Sequence, residues 1–112
     1  MVSKEETEKA PVAEASGLVD YELVVLISPE LAEERLDAVI GNITKFITDR
    51  GGVLASVDRW GKKKLAYPIK RFKEASYILA RFKFGPTSSR ELEASLRITE
   101  DVLRHLLIRI GD

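Results

Sequence analysis

The sequence has no cysteine and only one histidine, His105. Disulfide staples, thiolate metal sites and histidine clusters are therefore excluded at the outset. Aromatics are sparse, with one Trp, three Tyr and four Phe. No apolar run approaches the roughly 20 residues that a bilayer-spanning helix needs, and the first residues lack the apolar stretch of a signal peptide. These absences predict a soluble, cytoplasmic protein with no cofactor, metal or membrane partner. Net charge is missing too, because 18 Lys+Arg stand against 18 Asp+Glu. Phosphate binding draws on positive charge, so this balance at first argues against nucleic acid. What is present is 112 residues, 45% of them hydrophobic. That suits one domain with a core needing no staples.

The neutrality is a cancellation. Residues 1–17 carry a net −2 and residues 18–58 a net −5, whereas Arg59 to Lys83 hold nine basic residues against Glu74 alone, a local +8. Residues 84–112 return to −1. Such asymmetry points to an anionic partner at one place on the surface, although a solvated basic hairpin balancing an acidic body would give the same counts.

Residues 1–17 contain no aromatic, little bulky apolar content and no periodicity, and are expected to form a disordered extension to a domain spanning 18–112. Tyr21 to Ile27 (YELVVLI) is an aliphatic, β-branched run that predicts a buried strand. Ser28-Pro29 then offers an N-cap and a first-turn proline, with Glu30, Glu33 and Glu34 at the positive end of the dipole. Leu36, Val39, Ile40, Ile43, Phe46 and Ile47 recur at helical spacing up to Gly51-Gly52. The expected helix runs from about Pro29 to Arg50.

Val53 to Trp60 predicts a second strand, with Val53, Ala55 and Val57 on one face and Leu54, Ser56 and Asp58 on the other. Gly61 and the lysine run then read as a turn or bulge before Leu65 to Ile69, where Pro68 lacks a ladder donor and demands a sheet edge. Ala75 to Phe84 predicts a third strand with Ile78, Ala80, Phe82 and Phe84 inward. Thr87 or Ser88 is expected to cap a second helix carrying Leu92, Leu96 and Ile98, and Val102 to Ile110 forms the last strand. The order β-α-β-β-α-β implies an α+β, ferredoxin-like fold, a four-stranded antiparallel sheet with two helices on one face. Strands one and four are aliphatic on both faces, so the uncovered side of the sheet is expected to dock another macromolecule.

Enzymatic signals are weak. Gly51-Gly52 follows a helix instead of opening one, and no phosphate-loop pattern occurs. Glu33-Glu34 and Glu100-Asp101 have no partner base or metal cluster, His105 reads as a surface or packing residue, and Ser88 and Ser89 read as caps. In contrast, Arg59 to Lys73 (RWGKKKLAYPIKRFK) interleaves cations with aromatics. Arg59, Lys62, Lys63, Lys64, Lys70, Arg71 and Lys73 are the candidate RNA-contacting residues, suited to neutralising phosphates. Trp60, Tyr67 and Phe72 could stack on bases or anchor the hairpin to a small core, and packing is favoured for Trp60 and Tyr67.

At this segment Trp60-Gly61-Lys62-Lys63-Lys64-Leu65-Ala66-Tyr67-Pro68-Ile69 resembles the signature of the bacterial small-subunit (30S) ribosomal protein six family. The likeness starts at Tyr21-Glu22 and continues through Lys70 to Glu74, Tyr77 and Arg97-Ile98 to the strand Val102 to Arg109, covering about Val19 to Ile110. It implies a non-catalytic, ribosome-associated constituent of the small subunit that binds central-domain rRNA together with ribosomal protein eighteen. Family members begin almost directly at the Tyr-Glu pair, so residues 1–17 inherit no role. The resemblance also does not say which lysine meets which phosphate. A single-stranded RNA reader of RNA-recognition-motif type shares the strand order, but Ala75 to Phe84 does not carry its strand-three pattern. A small ferredoxin-like hydrolase would need a phosphate-cradling loop, and Ser28-Pro29 is too short.

Overall fold

A computed structural model describes residues 17–110. The extension expected at 1–17 lies outside the described residues except for Gly17. The elements are β1 (Val19–Ile27), α1 (Glu33–Asp49), β2 (Val53–Ile69), β3 (Phe72–Phe84), α2 (Pro86–Ile98) and β4 (Val102–Arg109). All three pairings are antiparallel and the strand order is β2-β3-β1-β4, the ferredoxin-like arrangement. β2 is an edge strand, which accommodates Pro68.

Alternation along β1 and β3 sends Tyr21, Leu23, Val25 and Ile27 to the same side as Ile78, Ala80, Phe82 and Phe84. There they meet Val39, Ile40, Ile43 and Ile47 of α1 and Leu92 and Leu96 of α2. Leu23, Ile27, Ile47, Phe82, Phe84 and Leu92 are essentially free of solvent, each contributing about 1.5–3 kcal/mol by burial. Ile98, the last of the apolar residues expected along the second helix, is 85% exposed. It ends α2, where the helix has already turned that position away from the sheet.

Both helices begin differently from the expectation. α1 starts at Glu33, with Ala32 as an extended N-cap. The Ser28 N–H donates to the Asp101 carbonyl at 2.9 Å, and the Ser28 hydroxyl accepts from the Glu30 N–H at 3.3 Å. Ser28 therefore closes a local turn in place of capping a helix, and the intervening loop lays Leu31 against the core. α2 is capped by Gly85 with Pro86 at the first turn, and neither Thr87 nor Ser88 serves as its cap. Ser89 is already inside this helix and buried. Its hydroxyl donates to the Pro86 carbonyl at 2.7 Å and lies 3.3 Å from the Tyr21 hydroxyl.

The helix stop at Gly51-Gly52 forms as expected. Gly51 takes φ 82°, its N–H donates to Thr48, and the Gly52 N–H reaches back to Ile47, a Schellman pair of bonds.

β2 departs most from expectation. It does not end at Trp60 but runs through the lysine run to Ile69, and β3 begins at Phe72 instead of Ala75. A register shift at Ala55 puts Leu54 and Val57 on the same, core-facing side, so the expected alternation of faces breaks there. A second shift at Trp60 is accompanied by Gly61 at φ 80°. A third, larger one between Lys64 and Ile69 sets Leu65, Ala66, Tyr67 and Pro68 against Lys73 alone.

Candidate nucleic-acid interface

β1 pairs with β3 only as far as Ser76, opposite Ile27. Phe72 to Ala75 and the facing residues Lys63 to Ile69 therefore continue past the rest of the sheet as a two-stranded arm. This arm holds most of the basic run. Its tip is the two-residue turn Lys70-Arg71, with Lys70 at φ 58°.

The seven candidate RNA-contacting residues separate into distinct settings. Arg59 sits at the base of the arm on the helix-facing side, donating to Glu33 at 3.0 Å and to Asp37, both on α1. The hydrogen bond to Asp37, reinforced by the two carboxylates' charge, raises its pKa above the ordinary arginine value. Arg71 lies 3.7 Å from Glu30 and over the Phe72 ring, 4.7 Å from its centroid. Lys63 lies over the Trp60 ring at 5.5 Å. Among the described residues, Lys62, Lys64, Lys70 and Lys73 have no acidic partner. Lys64 and Lys73 line one cleft with Leu65, Pro68 and Glu74. Strand alternation spreads Lys62, at the base of the arm, and Lys63 and Lys64 over both sides of β2.

Two cations counted in the basic segment are neutralised within the sheet. Arg81 bonds Glu22 at 2.8 Å and Lys83 lies 4.0 Å from Asp20, each pair directly opposite across β1 and β3. Matching the register of the two strands would have revealed this from the sequence.

The aromatics also divide. Trp60 stacks on Tyr77 at 6.4 Å and 14°, half covered. Tyr67, for which packing was favoured, is 80% exposed. It rides on the large irregularity of β2, which carries it out of reach of the core.

No helix among the described residues covers the opposite sheet face. Val24 and Leu26 of β1, Leu79 of β3 and Leu106 and Ile108 of β4 share it by register; Leu79 is buried by its neighbours, Val24 and Leu26 are half-buried, and Leu106 is 57% exposed. Glu22–Arg81 and Asp20–Lys83 lie at one end of this apolar stripe. His105 points to the helix side, where its Nε2 lies 3.3 Å from Glu93. No group of three or more His, Cys, Asp or Glu side chains that could hold a metal is present among the described residues, and no helix is long and apolar enough to cross a membrane.

A ferredoxin-like sheet with a cationic arm and one face that no helix covers places the chain in the class of small α+β proteins of β-α-β-β-α-β order. Comparison with known proteins gives that class a family. The family model for ribosomal protein S6 matches residues 20–109. The small ribosomal subunit protein bS6 of Moorella thermoacetica is 43% identical over 93 residues, covering 83% of this chain and 95% of the relative. Its counterpart in Caldanaerobacter subterraneus subsp. tengcongensis is 46% identical over 92 residues, covering 82% and 97%. The crystal structure of 30S ribosomal protein S6 from Thermotoga maritima superposes with a TM-score of 0.78 at 31% identity, covering 82% of this chain and 87% of that one. The chain belongs to the ribosomal protein S6 family.

Proposed function

We propose that this chain is a non-catalytic constituent of the small ribosomal subunit in the cytoplasm. In this proposal its arm contacts central-domain rRNA and its helix-free sheet face docks ribosomal protein eighteen. The observation that carries the RNA reading is that Lys64, Lys70 and Lys73 sit on an arm projecting beyond the sheet, with Lys62 at its base, and that none of the four has an acidic partner among the described residues. Each cation brought to a phosphate releases a counterion, so an unpaired lysine gives more on binding than one already neutralised. Lys63 and Arg71 belong to the same contact set, held near Trp60 and Phe72 until RNA arrives. Arg59 joins it at the base of the arm, where its bonds to α1 also fix the arm's direction.

The partner reading rests on the apolar stripe of exposed Leu106 and Ile108 with half-buried Val24 and Leu26 beside them. Trp60 and Tyr77 stack on each other, and the middle of the face is aliphatic. A protein surface fits that better than splayed bases do, which favours protein docking over an RNA-recognition-motif mode. The acidic body suits a basic partner and would speed its encounter.

The test is assembly of the full chain with central-domain rRNA and ribosomal protein eighteen across a salt series. Replacing Lys62, Lys63 and Lys64 by Ala is expected to flatten the dependence of log K on log salt by about one for each phosphate contact removed. An unchanged slope would remove the three lysines from the contact.

A further inference from the structure

We infer that the irregularity at Leu65 to Pro68 is a receptor for one unpaired nucleobase of the RNA, stacked on Tyr67. This rests on the RNA reading above and specifies what that surface recognises. The irregularity inserts Leu65, Ala66, Tyr67 and Pro68 where β3 offers only Lys73. A bulge of this kind re-aims a side chain, and the one re-aimed here is a tyrosine left 80% exposed. An aromatic ring held 80% in solvent on an arm that carries five cations has no packing role there.

Leu65 and Pro68, which flank Ala66-Tyr67 in the chain, line a cleft of about 380 Å³ together with Lys64, Lys73 and Glu74. Small-ligand sites begin at about this size. Leu65 and Pro68 supply an apolar floor. The Glu74 carboxylate has no ion-pair partner among the described residues, although Lys64 stands opposite it in register. A carboxylate disfavours a phosphate in the cleft and accepts a hydrogen bond from a base edge. Lys64 and Lys73 can hold the phosphates on either side of that nucleotide. A base within a duplex is covered on both faces by its neighbours, so only an unstacked one can lie on the ring.

The experiment uses the full chain with ribosomal protein eighteen and a central-domain fragment of small-subunit rRNA, probed with reagents that modify unpaired bases. Tyr67→Ala and Tyr67→Phe both change a solvent-exposed side chain, and matched melting curves check that each variant is folded. The wild type is expected to protect one unpaired base. Tyr67→Ala should lose that protection and weaken RNA binding about 5- to 100-fold, the worth of one base stacked on an aromatic ring. Its salt slope should match that of the wild type, because no phosphate contact is lost. Tyr67→Phe should retain both the protection and the affinity.

Full protection and affinity in Tyr67→Ala, with the lysine variants still altering the salt slope, would overturn this inference and leave the RNA reading standing. Loss of ribosomal protein eighteen from the complex with RNA protections unchanged would assign Tyr67 to a protein contact and overturn it as well. Failure of the wild type to bind the RNA at all would overturn both.

Discussion

Gly52 has no freedom to carry a side chain. A Cβ there would lie 2.6 Å from Ile47 Cγ2, 2.8 Å from the Ile47 carbonyl oxygen and 2.8 Å from Phe84 Cδ1. Both neighbours are completely buried, so neither can step aside. Gly52→Ala should cost about 1–3 kcal/mol in urea denaturation, and a loss below that range would mean that the helix end relaxes. Lys70 presents the opposite case, a non-glycine residue at φ 58° in a two-residue hairpin turn. Lys70→Val should be less stable than Lys70→Gly by about 1–2 kcal/mol, because a β-branched side chain resists that backbone region. Equal stability of the two variants would show that the turn adopts a different backbone. The Gly51-Gly52 helix stop was readable from the sequence because the dipeptide followed an unbroken helical period. Lys70 was not, since its conformation comes from how many residues β2 and β3 leave between Ile69 and Phe72.

The elements themselves were legible wherever one face met the core continuously. Leu36 to Ile47 and Ile78 to Phe84 carried their periods intact, and α1 and β3 bury the residues those periods selected except Leu36 and Phe46, which are only partly covered. β2 was misread because three register shifts interrupt its alternation, and no composition signal marks a shift at Ala55. The helix starts were misread because Ser28 and Thr87 have cap chemistry but the tertiary structure uses it elsewhere or not at all. The surplus of aliphatic residues on strands one and four was legible and corresponds to the face that no helix covers. If this face docks ribosomal protein eighteen as proposed, Leu106→Asp should abolish that capture while shifting Tm by only a few degrees, since the side chain is already more than half exposed. Unimpaired capture would move the docking surface off this face.

At the scale of the molecule, charge is arranged by fold as much as by sequence. The nine basic residues from Arg59 to Lys83 form one block in the sequence. The fold distributes them into sheet-neutralised pairs (Arg81 and Lys83), a clamp onto α1 (Arg59), Lys62 at the base of the arm and five cations on the arm (Lys63, Lys64, Lys70, Arg71 and Lys73). The concentration of cations in one segment was thus legible, while the division of labour within it needed the register. Zero net charge remains compatible with an RNA-bound protein, because the cations are concentrated on an arm and the acids lie mainly on the body. It also limits how strongly the chain binds RNA alone, so assembly should depend on the partner protein. The most direct measurement is gradient sedimentation of cell lysate containing the tagged full chain. The chain is predicted to co-migrate with small ribosomal subunits at physiological salt, and recovery solely at the top of the gradient would contradict its assignment as a constituent of that particle.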